Sequence, residues 1–324
     1  IRRQRQMCIR DRYKNTSEDL LYAVPVPEQA GVSNTTVTMN AASMNNSGFE
    51  FSATYRNRDH DFKYEVSANL STLRNRVTSL GFGTDSYISG SYITKVGEEI
   101  GQFYGWVYEG IARTQEVLDN HATQEGAQIG DCLYKDVNND GKVDSEDQVV
   151  LGSGMPKINF GLNARFEYKR FDLSIATFGA LNYHVSDDIY NSLNSCYGWG
   201  NKEVGMLDAN RFSEDGSTYL SNVPRTYVTN SASLGWNDLF SSRKIQNAAY
   251  WKIANVELGY NFPDKWFDKY VSDVRFYISA QNLHTFTGYH GYNVDYAGGT
   301  FTPGYNFCSY PTARTFMCGV HFTF

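Results

Sequence analysis

The chain has 324 residues, a formal net charge of −6, 15% aromatic residues and a mean hydropathy of −0.48. No stretch approaches the roughly 18 uninterrupted apolar residues of a membrane helix, so helical spanning is excluded. The Arg-rich opening holds five Arg and one Asp, and without it the net charge is −10, which argues against nucleic acid, whose phosphates need concentrated positive charge.

Residues 1–12, I-R-R-Q-R-Q-M-C-I-R-D-R, lack an apolar h-region and are not a signal peptide. They read as a foreign scar from cloning or sequence assembly, so residues 13–324 are expected to begin inside something longer. Residues 13–46 are polar and punctuated by Pro25, Pro27 and Gly31, with one short strand predicted near Thr35 to Asn40. Period-two alternation then begins. Phe49, Phe51, Ala53 and Tyr55 oppose Glu50, Ser52, Thr54 and Arg56; past a turn, Phe62, Tyr64, Val66, Ala68 and Leu70 oppose Lys63, Glu65, Ser67 and Asn69. Tyr92 to Gly97 and Gln102 to Ala112 are expected to form a further strand pair, placed there to satisfy the up-down parity of the strands around them.

The sharpest local motif follows. Asp136, Asn138, Asp140, Gly141, Lys142, Asp144 and Asp147 match the spacing of a calcium loop, D-x-[DN]-x-[DN]-G-x5-E, except that Asp147 stands where Glu is usual. Carboxylates, the Lys142 carbonyl and a closing carboxylate could surround Ca2+, with Gly141 allowing the sharp turn. An exposed Asx/Gly turn without metal is the other reading. The shorter Asp147 and the lack of evident flanking helices weigh on its side.

Ile158 to Tyr168 and Phe171 to Asn182 form a second hairpin with a very short turn, and Tyr250 to Phe262 and Val274 to His284 form a third. Connection lengths alternate sharply, as in membrane barrels with short periplasmic turns and long outer loops. Residues 113–156, 183–248 and 285–313 are then extracellular. Aromatic residues on these loops, Tyr190, Tyr197, Trp199, Tyr227, Trp236, Tyr289, Tyr292 and Tyr305, could stack on sugar rings; equally, they could pack the loops together or sit in the interfacial girdle.

The five cysteines show no C-x-x-C, so neither a structural zinc site nor a redox motif is supported, and Cys318 reads as a small buried hydrophobe. No G-x-S-x-G, H-E-x-x-H, P-loop or G-x-G-x-x-G occurs, the six His are isolated, and no enzymatic role is expected. The last ten residues, T-F-M-C-G-V-H-F-T-F, put Phe316, Cys318, Val320, Phe322 and Phe324 on one face and Thr315, Met317, Gly319, His321 and Thr323 on the other. One face suits lipid and the other a wet lumen. The predicted fold is all-β: a transmembrane antiparallel β-barrel of the outer membrane, present as a partial open barrel of about nine or ten strands with long extracellular loops. Other classes remain open: a soluble or surface β-rich glycan-binding module with a calcium loop, or a secreted glycosidase.

A set of motifs in fixed order carries a family resemblance over essentially all of residues 13–324. They are S-E-D-L-L-Y from Ser17, N-N-S-G-F-E from Asn45, G-Q-F-Y-G-W-V-Y-E-G-I from Gly101 and the Asp-rich loop leading to Val150, Gly152 and Pro156. Then come A-A-Y-W-K-I-A-N-V-E-L-G-Y-N-F-P from Ala248, S-A-Q-N-L-H-T-F-T-G-Y from Ser279 and Y-P-T-A-R-T from Tyr310. The chain resembles the C-terminal part of the SusC/RagA-type TonB-linked outer-membrane receptors. That resemblance implies a barrel of about 22 strands, an N-terminal plug with a segment contacting the TonB complex, and a SusD-like lipoprotein lid that captures oligosaccharides or peptides. Plug and first half of the barrel are expected to lie outside this chain. The family's acidic G-Y-D-P-E region reads G-Y-N-V-D at Gly291 to Asp295. The resemblance also assigns Phe322 and Phe324 to the signal read by the barrel-assembly machinery. A fragment of this kind is expected to leave its terminal strand as an unpaired edge.

Overall fold

The computed structural model of the chain describes residues 6–25, 36–80, 83–196, 201–226, 232–263, 273–295 and 298–323. Nine strands form one antiparallel sheet: β1 (Gln6–Pro25), β2 (Thr36–Asn57), β3 (Phe62–Thr72), β4 (Arg74–Ser79), β5 (Ile158–Tyr168), β6 (Phe171–Leu181), β7 (Tyr250–Asn261), β8 (Asp273–Thr287) and β9 (Thr315–Thr323). Eight of them lie in chain order from edge to edge, and β4 pairs with β2 beyond the point where β3 ends. Strands of about 11 residues are long enough to cross a bilayer when tilted.

The sequence alternation becomes two chemically opposite faces. Phe51 lies opposite Leu70, Leu70 opposite Phe160, Phe160 opposite Gly179, Gly179 opposite Trp251 and Trp251 opposite Phe286, so one row of the outer face is almost wholly apolar across six strands. The adjacent inner row reads Ser52, Asn69, Gly161, Phe178, Lys252 and Thr285. Sliding any strand by one residue would exchange these faces, which is why register is tightly specified. The outer face stays exposed in the chain by itself: Leu70, Leu258, Ile278 and Phe316 are 43%, 40%, 48% and 69% accessible. Burying such side chains stabilises by about 1.5–3 kcal/mol each, so water is the wrong solvent for this surface and a hydrocarbon layer is the right one.

Aromatic residues gather at two levels of that face. Phe62 stacks on Phe166 at 6.0 Å and Phe171 meets Tyr260 at 4.9 Å near one end, while Trp251 stacks on Phe286 at 5.3 Å near the other. Tyr260 and Trp251 are about nine residues apart on β7, or ~30 Å along a strand and ~20–25 Å along the membrane normal once it tilts. That matches the height of an apolar band between two girdles.

The two tight hairpin turns lie at one end. Residues 58–61 join β2 to β3, and Lys169 with Arg170 joins β5 to β6. Lys169 adopts a φ of +53°, the left-handed conformation that so short a hairpin connection demands. Three long excursions leave the other end: residues 80–157, 182–249 and 288–314. β9 is hydrogen-bonded to β8 alone among the described residues, so the expected unpaired terminal edge is present.

Three expectations are corrected. The strand pair at 92–97 and 102–112 is not part of the wall: Tyr92–Lys95 and Gln102–Gly105 belong to a separate four-stranded sheet with Ser86–Ser89 and Val149–Ser153. β3 pairs directly with β5, because an upward strand followed by a downward one needs only a loop between them. The region of residues 13–46, read as mostly strandless, holds most of β1 and half of β2. Residues 6–12 continue β1, paired from Gln6 opposite Tyr55 to Arg12 opposite Phe49; backbone pairing makes no demand on side chains, so even an Arg-rich segment can line an edge. Finally, Cys318 is exposed on the outer face rather than buried.

Candidate functional site

The inner face carries the charge. On β8, Arg275 bonds Asp172 of β6 through Nε at 3.0 Å and Nη2 at 2.5 Å, and reaches Glu257 of β7 at 2.7 Å. Gly259 lies between Asp172 and Tyr277, and a side chain there would meet the guanidinium at 2.4 Å, so glycine is what lets the arginine cross the strand. Arg56 and Glu65 form a second pair at 2.7 Å. Ion pairs of this kind belong on a wet wall.

Towards the long excursions the inner face opens into a recess of about 800 Å3. Its floor is the cross-strand row Asn159, Ala180 and Tyr250 with Phe178 from the next row. Val294, Asp295, Gly298, Gly299, Thr300 and Pro303 form a wall. That wall is pinned: Lys252 donates to Asp295 at 2.5 Å, and the Tyr183 hydroxyl donates to the Val294 carbonyl at 2.9 Å. Burial, and then the nearby Asp295 charge, push the Tyr183 hydroxyl above the ordinary phenol range, so it remains a donor. Tyr183, Val185, Ala248, Tyr289 and Val294 form a small apolar core behind it.

The excursions interlock into one assembly. Asp131, fully buried, takes two bonds from Arg225 at 2.5 and 3.0 Å and one from Asn237 at 2.8 Å. Arg113 donates to the Tyr219 and Ser221 carbonyls at 3.1 and 2.9 Å. These contacts join residues about a hundred positions apart, so no local spacing announces them. At Gly154 an added Cβ would fall 2.0 Å from the Pro303 carbonyl oxygen, a backbone contact that only glycine permits. The G-Q-F-Y-G-W motif supplies the packing: Phe103 is fully buried between Tyr92 at 5.1 Å and Phe240 at 6.0 Å, and the Trp106 indole donates to the Asp144 carbonyl at 2.9 Å. Burial pushes the Cys132 thiol up to about 12 and Cys196 up to about 11, so both are inert thiols in this core.

The Asp-rich loop is organised by its own backbone. Asp136 accepts from Asn139 at 2.6 Å and Gly141 at 2.8 Å, Asn138 from the Asp140 amide at 2.9 Å, and Asp140 from Lys142 at 2.8 Å. Asp144 caps the turn Ser145–Asp147 in a reciprocal capping box. Asp147 accepts from Val137 at 2.7 Å, Asn138 at 3.3 Å and Asp144 at 2.9 Å. Burial opposes its charge, but those three N–H groups outweigh burial and hold its carboxyl below the usual range. Among the described residues no group of three or more His, Cys, Asp or Glu is placed to hold a metal ion.

The aromatic candidates divide. Tyr289 is buried, with its hydroxyl bonded to Asp187 and to Asn306. Trp236 packs on Tyr134, and its indole donates to the Glu125 carbonyl at 2.8 Å. Tyr190 stacks on His290 at 6.0 Å, and Tyr292 is 67% exposed. Tyr197, Trp199, Tyr227 and Phe324 lie outside the described residues. Phe322 is on the outer face at the end of β9, with Val274 opposite it, and His321 is on the inner face opposite Arg275. Sequence reading missed the Lys252–Asp295 and Arg275–Asp172–Glu257 pairs; alternation marked their polar face, but nothing in it named the partners.

No protein-family model matches the chain. Over 97% of its length it is 30% identical to TonB-dependent receptor P3 of Formosa agariphila and 26% identical to TonB-dependent receptor SusC of Bacteroides thetaiotaomicron. It covers 32% and 30% of those proteins. Among solved structures, the RagAB peptide transporter superposes over 99% of this chain with a TM-score of 0.78 at 21% identity, and the RagAB peptide importer in its closed-closed state with a TM-score of 0.75 at 23%. The chain covers 33% and 34% of those chains, so it spans about a third of the length of the relatives it matches.

Proposed function

Because the chain is of the SusC/RagA type of TonB-dependent receptor, we propose that it forms barrel wall and outer loops of an outer-membrane importer of nutrient oligomers, either oligosaccharides or peptides. One observation carries this reading: a continuous antiparallel sheet, apolar on one face and charged on the other, with the tight hairpin turns at residues 58–61 and 169–170 at one end and the three long excursions at the other. Such a wall separates lipid from an aqueous lumen. Its role is passage rather than chemistry, and no enzymatic activity is assigned to it.

In this reading the short turns face the periplasm and the interlocked excursions face outward, where they meet a SusD-like lipoprotein that delivers the oligomer. Energy reaches the receptor from the TonB complex through a plug encoded elsewhere in the protein. The chain belongs in the outer membrane as a multi-pass barrel segment assembled by the barrel-assembly machinery. A calcium role for residues 136–147 is retained as a proposal in the same loops, with Asp136, Asn138, Asp140, Lys142, Asp144 and Asp147 as the donor set; Ca2+ that protects the loop from protease would support it. For transport, the test is uptake of labelled oligomers by cells carrying the full-length receptor with its neighbouring lipoprotein. Uptake that stops when TonB is removed supports the proposal, and uptake indifferent to the receptor's deletion overturns it.

A further inference from the structure

We propose that the recess at Asn159, Phe178 and Tyr250 is a wall subsite for a neutral saccharide unit of the transported oligomer. This rests on the import reading and narrows its substrate class. A second hollow of about 480 Å3, lined also by Asp11 and Glu50, adjoins the recess of about 800 Å3, and both share those three residues. Both volumes fall in the range of small-molecule sites, about 300–1,000 Å3.

The chemistry of the lining selects the ligand. The one charged side chain lining the recess, Asp295, is already neutralised by Lys252 at 2.5 Å, and the Lys252 side chain is only 4% exposed. Beside it, Lys157 is paired with Glu99. Within the recess a charged ligand would therefore lose its hydration without gaining an opposite charge, which is costly, and the Asp11 and Glu50 carboxylates of the second hollow add repulsion for an anion. What the recess offers instead is apolar surface with amide hydrogen-bonding groups. Phe178 and Tyr250 meet edge to face at 6.1 Å, and the Lys252 ammonium lies 5.7 Å from the Phe178 ring, so the aromatic platform is held from two sides. Asn159 stands on the same inner row as Tyr250, exposed, and its side chain makes no hydrogen bond among the described residues. A pyranose has C–H faces that suit the rings and hydroxyls that suit the amide. It carries no charge for which the site lacks a partner.

The test uses the full-length receptor containing this chain, purified in detergent. Its binding would be measured to an array of neutral and acidic oligosaccharides and to an oligopeptide library, for the wild type, Phe178→Ala and Asn159→Ala. The expected result is binding of neutral oligosaccharides, weakened about tenfold or more by Phe178→Ala and several-fold by Asn159→Ala, as losses of an aromatic contact and one hydrogen bond. Asn159→Ala keeps the test valid if the aromatic variant misfolds. Preference for acidic glycans or peptides, no binding to any probe by a receptor whose cells still import, or neutral-glycan binding untouched by both variants would each overturn the subsite while leaving import standing. Failure of cells to import any oligomer would overturn the import reading itself.

Discussion

The sheet and the excursions above it are held by opposite means. In the sheet, hydrogen bonds run between neighbours in a period-two register, and side chains only choose which solvent each face meets. In the excursions, short elements are tied by side chains from distant positions, such as Asp131 to Arg225 and Asn237. The wall should therefore fail when a face is given the wrong polarity, and the assembly when one cross-link is cut.

The largest effect expected is on the assembly. Asp131→Ala leaves the Arg225 charge, 17% exposed, without its partner, and removing one member of such a pair costs about 3–5 kcal/mol. Limited proteolysis should show residues 80–157 and 182–249 opened while the sheet still resists. If the two regions unfolded together, their independence would be refuted. Next, Val256→Arg puts a cation on the apolar face of β7 midway between the Tyr260 and Trp251 levels, a substitution that costs about 2–4 kcal/mol at the bilayer midplane. Ser174→Arg, on the inner face between Arg165 and Glu257, should be tolerated. Heat-modifiable mobility of the outer-membrane receptor measures both, and equal damage from the two would erase the distinction between the faces.

Acid supplies a subtler probe. Asp147 is held below the ordinary carboxylate range, so its contribution is fully present above the unfolded value of about 4 and fades as pH falls through its lowered folded value. Asp147→Asn should remove that acid sensitivity from the 136–147 loop, followed through Trp106 fluorescence because its indole bonds the Asp144 carbonyl. An unchanged pH profile would show that the carboxylate does not hold the turn. The smallest effect belongs to the wall's short end. Lys169→Gly relieves a left-handed φ of +53° and should stabilise by about 0.5–1 kcal/mol; a destabilised hairpin would mean that the lysine side chain matters more than its backbone.

The same contrast explains what the sequence disclosed. Strands β3, β5, β6, β7, β8 and β9 were legible because each alternates apolar and polar residues over most of its length, broken on β7 and β8 only where the register shifts near Ala254 and on β6 near Thr177, and the terminal face of Phe316, Val320 and Phe322 points outward as expected. β1 was missed because its Arg, Lys, Asp and Glu residues suppress alternation, although its backbone pairs with β2 along its length apart from an irregularity at Glu18 and Asp19. The calcium-like spacing was visible, and so was its alternative, since acceptors that could hold a cation also cap turns. The recess was not legible: Asn159 and Tyr250 become neighbours only after three strands register.

The direct test of the account is the accessibility of β7. Single cysteines placed from residue 251 to 260 of a full-length receptor stripped of its native cysteines would be challenged in outer membranes with a charged, water-soluble maleimide. Labelling is expected at Asn255 and Glu257, protection at Trp251, Ile253, Val256 and Leu258, and a slip of phase at Ala254, where the register with β6 and β8 shifts. Labelling of both faces alike, or an unbroken alternation through Ala254, would contradict it.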